Sequence, residues 1–128
     1  MRALDTNVLV RLLVGDDQKQ FKIAEEFVAK GAWVSHLVLA ETMWVLGAIY
    51  DRTPMQIIAL IDVLLAHEQL IIQDADTVTM ALEDLRLRPA LGFSDCLVVA
   101  IARKAGHTPI SSFDKQLAKP KDTVRLPN

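Results

Sequence analysis

Four acidic residues interrupt apolar stretches of this chain. Asp5 follows the short apolar start of ALDTNVL, with Thr6 and Asn7 beside it, and Glu41 is the lone charge between Lys30 and Asp51. Asp95 opens DCLVVAIA, and Asp114 follows PISSF. Acids flanked by apolar sequence are expected to be half-buried, and charges are rarely buried without partners. No Lys or Arg adjoins Asp5, Glu41 or Asp95. Converging carboxylates repel one another, and a hard divalent cation, which takes oxygen ligands, would resolve that repulsion. Each acid also has a purely structural reading. Asp5 or Asn7 would cap a first helix, Asp95 would suit a first helical turn, and Asp114 would cap the turn before Lys115-Gln116-Leu117.

The elements around these residues predict a topology. Arg2 to Asp5 reads as a short buried strand, followed by a helix over Asn7–Leu13 and a break at Gly15-Asp16-Asp17. Phe21, Ile23, Ala24, Phe27 and Val28 recur at helical intervals, predicting an amphipathic helix from Gln18 to Lys30. Trp33 to Ser35 predicts a second strand and Val38 to Tyr50 an apolar helix carrying Glu41 near its start. Thr53 and Pro54 open a helix running to about Ala66, and Leu70 to Ile72 is a third strand. A helix over Thr77–Leu87 would show Glu83 and Asp84 to solvent, and a loop follows around Pro89. Ser94 is expected to cap a helix from Asp95 to Lys104 that stops at Gly106. Thr108 to Ser111 and Val124 to Leu126 complete the strands.

Strands alternating with helices predict one α/β domain over residues 1–128. Its expected form is a three-layer α/β/α sandwich around a mostly parallel sheet of four or five strands. Ligands of such sheets bind at the carboxyl ends of strands. Asp5, Glu41 and Asp114 all follow a strand, whereas the helix of Asp95 precedes one.

Composition narrows the class. The chain is 52% hydrophobic, with 14 basic and 16 acidic residues and a net charge of −2. That balance argues against a general nucleic-acid coat, which works by phosphate neutralisation. Asp62, His67 and Glu68 interrupt the most apolar stretch, so no membrane span is expected. Asp5 would sit inside the apolar region of any signal peptide, so a cytoplasmic location is expected. Cys96, the single cysteine, excludes an internal disulfide and reads as a small buried hydrophobe. His36, His67 and His107 show no metal-ligand spacing, and Trp33 and Trp44 read as core or interface rather than base-stacking platforms.

Four segments in order, LDTNVLVRLL, LAETMWVL, FSDCLVVAIARKAG and ISSFDKQLAK, resemble the PIN domain, and within it the VapC-type toxin ribonucleases. The resemblance covers Met1 to Leu126. It implies a metal-dependent endoribonuclease that is the toxin of a toxin–antitoxin pair. Asp5, Glu41, Asp95 and Asp114 would be its acidic quartet for Mg²⁺ or Mn²⁺, with Thr6, Asn7 and Ser112 as polar support. Ser112 stands where the family often has threonine.

On this reading Asp5 and Asp95 would bind the first ion directly and Glu41 directly or through water. Asp114 would orient water or help a second ion. Two divalent ions add four charges and would move the formal balance from −2 to +2. Arg11, Arg86, Arg88, Arg103 and Lys104 would then guide single-stranded RNA, with Arg86 and Arg88 favoured because LRLRPALGF precedes Asp95. A homodimer is expected from apolar helices such as PMQIIALIDVLLA. A small antitoxin is expected to dock on apolar surface near the second and fourth helices and place an arginine among Asp5, Glu41 and Asp95. The competing readings are a non-catalytic α/β interaction module and a housekeeping RNA-processing nuclease. A phosphatase of the haloacid dehalogenase type would carry a second Asp where Asn7 stands.

Overall fold

A computed structural model of the protein describes residues 1–117 and 122–127. The end of the segment ISSFDKQLAK, Ala118 and Lys119, lies outside the described residues. The elements are β1 (Arg2–Ala3), α1 (Thr6–Val14), α2 (Gln18–Ala29), β2 (Ala32–Val34), α3 (His36–Ala48), α4 (Pro54–Ala66), β3 (Leu70–Ile72), α5 (Ala75–Leu87), a 3-10 turn (Pro89–Leu91), α6 (Phe93–Ala105), β4 (Ile110–Ser112) and β5 (Thr123–Arg125). This is an α/β chain with parallel strands, consistent with the sandwich expected. It divides into two compact units, Met1–Ala75 and Asp76–Asn128.

In the first unit β1, β2 and β3 pair in sequence order, all parallel. The register sets Arg2 opposite Ala32 and Trp33 opposite Ile71. The ladder runs one residue past the ends of β1 and β3, where Leu4 donates to the Trp33 carbonyl at 3.1 Å and Gln73 to that of Val34 at 2.8 Å. Each connection is a helix pair, as parallel neighbours require. Local signals set the helix starts. Asp17 accepts from the Gln20 amide at 3.0 Å, and Ser35 from that of Val38 at 3.1 Å. Thr53 and Gln56 form a reciprocal capping box, with Pro54 at the first helical position. Gly15 ends α1 at φ 67, a left-handed geometry that favours glycine. Leu9, Val34, Leu39, Leu46 and Ile61 are among the fully buried residues.

In the second unit β4 and β5 pair in parallel, Ile110 opposite Thr123. The five strands thus hydrogen-bond as a three-stranded and a two-stranded sheet. Two readings are corrected here. Ser94 does not cap α6, because the helix starts earlier; Gly92 stands at the cap with φ 80 and no side-chain bond. Asp84 is not on a solvated face either. It is half-buried, its carboxylate 3.7 Å from Arg103, which also donates from Nε to Asp122 at 2.9 Å. Cys96 is buried as expected, 1% exposed.

Candidate functional site

The first unit builds an acidic pocket at the carboxyl end of its sheet. After the last ladder bond of Leu4 the chain turns into α1, and Asp5 caps it, Oδ1 accepting from the Val8 amide at 3.2 Å. The capping reading of Asp5 therefore holds, and it uses one carboxylate oxygen. Thr6, the next residue, donates its hydroxyl to Glu41 Oε2 at 2.6 Å. Glu41 rides on α3, whose start is fixed twice, by the Ser35 cap and by the side chain of Gln73. The latter accepts from the His36 amide at 2.8 Å. The second oxygens of Asp5 and Glu41 take no hydrogen bond among the described residues.

Asp5, Thr6, Asn7, Glu41, Trp44 and Val45 line an open pocket of about 390 Å³. That lies within the range of small-ligand sites, ~300–1,000 Å³. Among the described residues its lining holds two carboxylates, a hydroxyl and an amide, and no basic side chain. Sequence reasoning placed these four polar residues together and erred on their exposure. Asp5 and Glu41 are exposed, not half-buried. The reason lies in α3, which is apolar around most of its circumference. A single charge there cannot tell which face is outward, and the exposed stripe proves to be Leu37, Glu41, Trp44 and Ala48. Trp44, which reads from the sequence as core or interface, shares that stripe. It is 64% exposed and not core, and its spacing three residues after Glu41, one helical turn, was the signal available.

The second unit carries the other two acids. Asp95 lies in the first turn of α6 and is half-buried. Burial, reinforced by the charge of Asp114, raises its carboxyl above the ordinary 3.8. Asp114 is exposed and held by its own turn: its amide donates to Ser112 Oγ at 2.9 Å, and its Oδ1 accepts from the Gln116 amide at 2.8 Å. Ser112 therefore fixes the backbone of the Asp114 turn, and Asp114 fills its structural reading as a turn cap. Arg86 sits in the last turn of α5, and Arg88 precedes the 3-10 turn, close enough for its charge to act at Cys96. Arg11 and Arg103 are both ion-paired. Arg11 meets Asp16 at 2.9 Å, and Arg103 meets Asp122 at the same distance.

Among the described residues, neither unit gathers three His, Cys, Asp or Glu side chains closely enough to hold a metal ion. Mg²⁺ is nevertheless commonly held by one or two carboxylates, with water and phosphate completing its shell. The uncompensated oxygen donors of Asp5, Thr6, Asn7 and Glu41 fit that requirement.

No helix among the described residues is long and apolar enough to cross a membrane. No curated protein matches the chain. The family model described as PIN domain matches residues 2–122. PIN domains are generally nucleases and generally use divalent metals. With nearly the whole sequence matched, the chain belongs to the PIN domain family.

Proposed function

We propose that this PIN domain is a Mg²⁺- or Mn²⁺-dependent endoribonuclease of the VapC toxin type, active in the cytoplasm. One observation carries the reading: Asp5, Thr6, Asn7 and Glu41 meet in a single open pocket that contains carboxylates and, among the described residues, no cationic side chain to balance them. The metal, when bound, supplies a hydroxide nucleophile at neutral pH and neutralises charge on the transferring phosphoryl group. The residues do the rest. Thr6 fixes one oxygen of Glu41 and the Val8 amide fixes one of Asp5, so each acid presents its second oxygen in a defined direction. Asp95 and Asp114 are proposed as the further acids of the reaction, with Ser112 holding Asp114 and Arg86 and Arg88 meeting the RNA backbone.

Partners follow from the same surfaces. The exposed Met55 and Val63 of α4 support a homodimer. A mostly apolar groove of about 320 Å³ along α1 and α2 includes Asn7, which also lines the acidic pocket. A small antitoxin seated in that groove would deliver an arginine to Asp5 and Glu41 over a short distance. The toxin role is tested by expression with and without the neighbouring gene product. Arrested growth relieved by a copurifying partner supports it; harmless expression with active purified enzyme favours an RNA-processing role instead.

A further inference from the structure

Trp44 is the only aromatic side chain among the described residues lining the acidic pocket, and it stands one helical turn from Glu41 on the outward stripe of α3. Resting on the nuclease reading, we propose that Trp44 is the stacking platform for a base of single-stranded RNA, next to the phosphate held at Asp5 and Glu41. The pocket has a binding problem that this solves. Among the described residues its lining offers no Lys or Arg, so phosphate is attracted here only through bound metal, and contact with a base supplies further affinity on this face. An indole presents a flat apolar surface on which any base can stack, whatever its sequence. Leu37, one turn on the other side of Glu41 and 73% exposed, extends the same face.

The rival occupant is a protein surface, and the chemistry of the lining argues against it. An apolar partner pressed on Trp44 would also cover Asp5 and Glu41 and desolvate two carboxylates, whereas the antitoxin proposed above sits in the α1–α2 groove, whose lining does not include Trp44, and brings its own arginine to the acids. A base leaves the acids beside it free to bind metal and phosphate. A stacked base also implies that the substrate is unpaired at this point, since a duplex keeps its base faces covered.

The test uses the two tryptophans of the chain. Trp33→Phe leaves Trp44 as the sole indole, and its emission is followed while a single-stranded RNA oligonucleotide is added in Mg²⁺. An abasic oligonucleotide of equal length serves as the control. Saturable quenching by RNA and none by the abasic strand is expected. In the otherwise native enzyme, Trp44→Ala should raise KM by roughly tenfold, within the range of one lost stacking contact, with little change in kcat. Trp44→Phe should recover most of the loss and Trp44→Leu should not. Emission unmoved by RNA, equal quenching by the abasic strand, or rescue by Leu as good as by Phe overturns the proposal. So does a dimer that dissociates in Trp44→Ala. Cleavage with an unmoved indole rejects the stacking alone, whereas quenching without cleavage rejects the nuclease reading and leaves the base-binding site standing.

Discussion

The hydroxyl of Thr6 lies 2.6 Å from Glu41 Oε2, joining the first turn of α1 to the middle of α3. The bond connects residues 35 positions apart and ties the capping end of one helix to the one acid of another. It makes Thr6 a positioning residue for Glu41. Thr6→Val keeps the shape and removes the donor. It should lower kcat about tenfold while costing only ~1 kcal/mol of stability, the usual net value of one hydrogen bond. Thr6→Ser should restore both. Turnover and urea midpoints for the two variants check this.

Asp5 does two things at once, and the two can be separated. Asn caps a helix as well as Asp does, but carries no charge. Asp5→Asn should therefore melt within a degree or two of the parent, since a retained cap costs almost nothing, and lose cleavage. Asp5→Ala should lose cleavage and also about 1 kcal/mol of stability with the cap. Thermal melts beside an RNA cleavage assay separate the charge from the cap.

Asp95 predicts a conflict between stability and function. Burial and Asp114 raise its carboxyl, so the folded chain holds that proton more tightly than the unfolded chain does. Stability must then fall as pH rises from the ordinary 3.8 through the raised value, and stay lower at neutral pH. Asp95→Asn should flatten this slope, raise the melting temperature of the metal-free protein at neutral pH, and abolish cleavage. Melts of both proteins in EDTA from pH 4 to pH 7 give the comparison. A variant less stable than its parent throughout would contradict the assignment.

Cys96 should be inert in the folded state. It is 1% exposed, and burial pushes its thiol from 9.0 up to about 12. The folded chain keeps the proton that the unfolded chain gives up, so this contribution to stability is intact below pH 9.0 and lost as pH climbs towards about 12. A chromogenic thiol reagent should label native protein at pH 8 far more slowly than protein in urea. Rapid native labelling would show the thiol to be accessible.

What was legible in the sequence was what local chemistry decides. Thr53 and Pro54 announced α4 at its observed start, and the apolar run Leu70–Ile72 is β3 as read. Strand order sets Asp5 and Glu41 at one edge, because the ends of parallel strands collect there, while Thr6 and Asn7 enter as support through the family resemblance. The failures share a different cause. Ser94 had the chemistry of a cap, but Gly92, whose positive φ no capping preference foretells, starts α6 two residues earlier. Asp84 and Arg103 lie 19 positions apart in the sequence, and only tertiary structure pairs them. The exposure of Glu41 and Trp44 was hidden because an apolar helix has no periodic face to read. Trp44 reads from the sequence as core or interface, and its helical phase with Glu41, three residues earlier, is what sets it on the exposed stripe.

The most direct test of the central claim is cleavage of single-stranded RNA by the purified protein in Mg²⁺ or Mn²⁺, compared with Glu41→Gln and with EDTA. Glu41→Gln preserves size and can still accept the Thr6 hydrogen bond, so it removes the charge and little else. The account predicts endonucleolytic products from the parent, lost on chelation and restored by adding metal, and at least a hundredfold slower cleavage by Glu41→Gln, about 2.7 kcal/mol of lost transition-state stabilisation. Cleavage that survives EDTA, or a Glu41→Gln enzyme as fast as its parent, would contradict it.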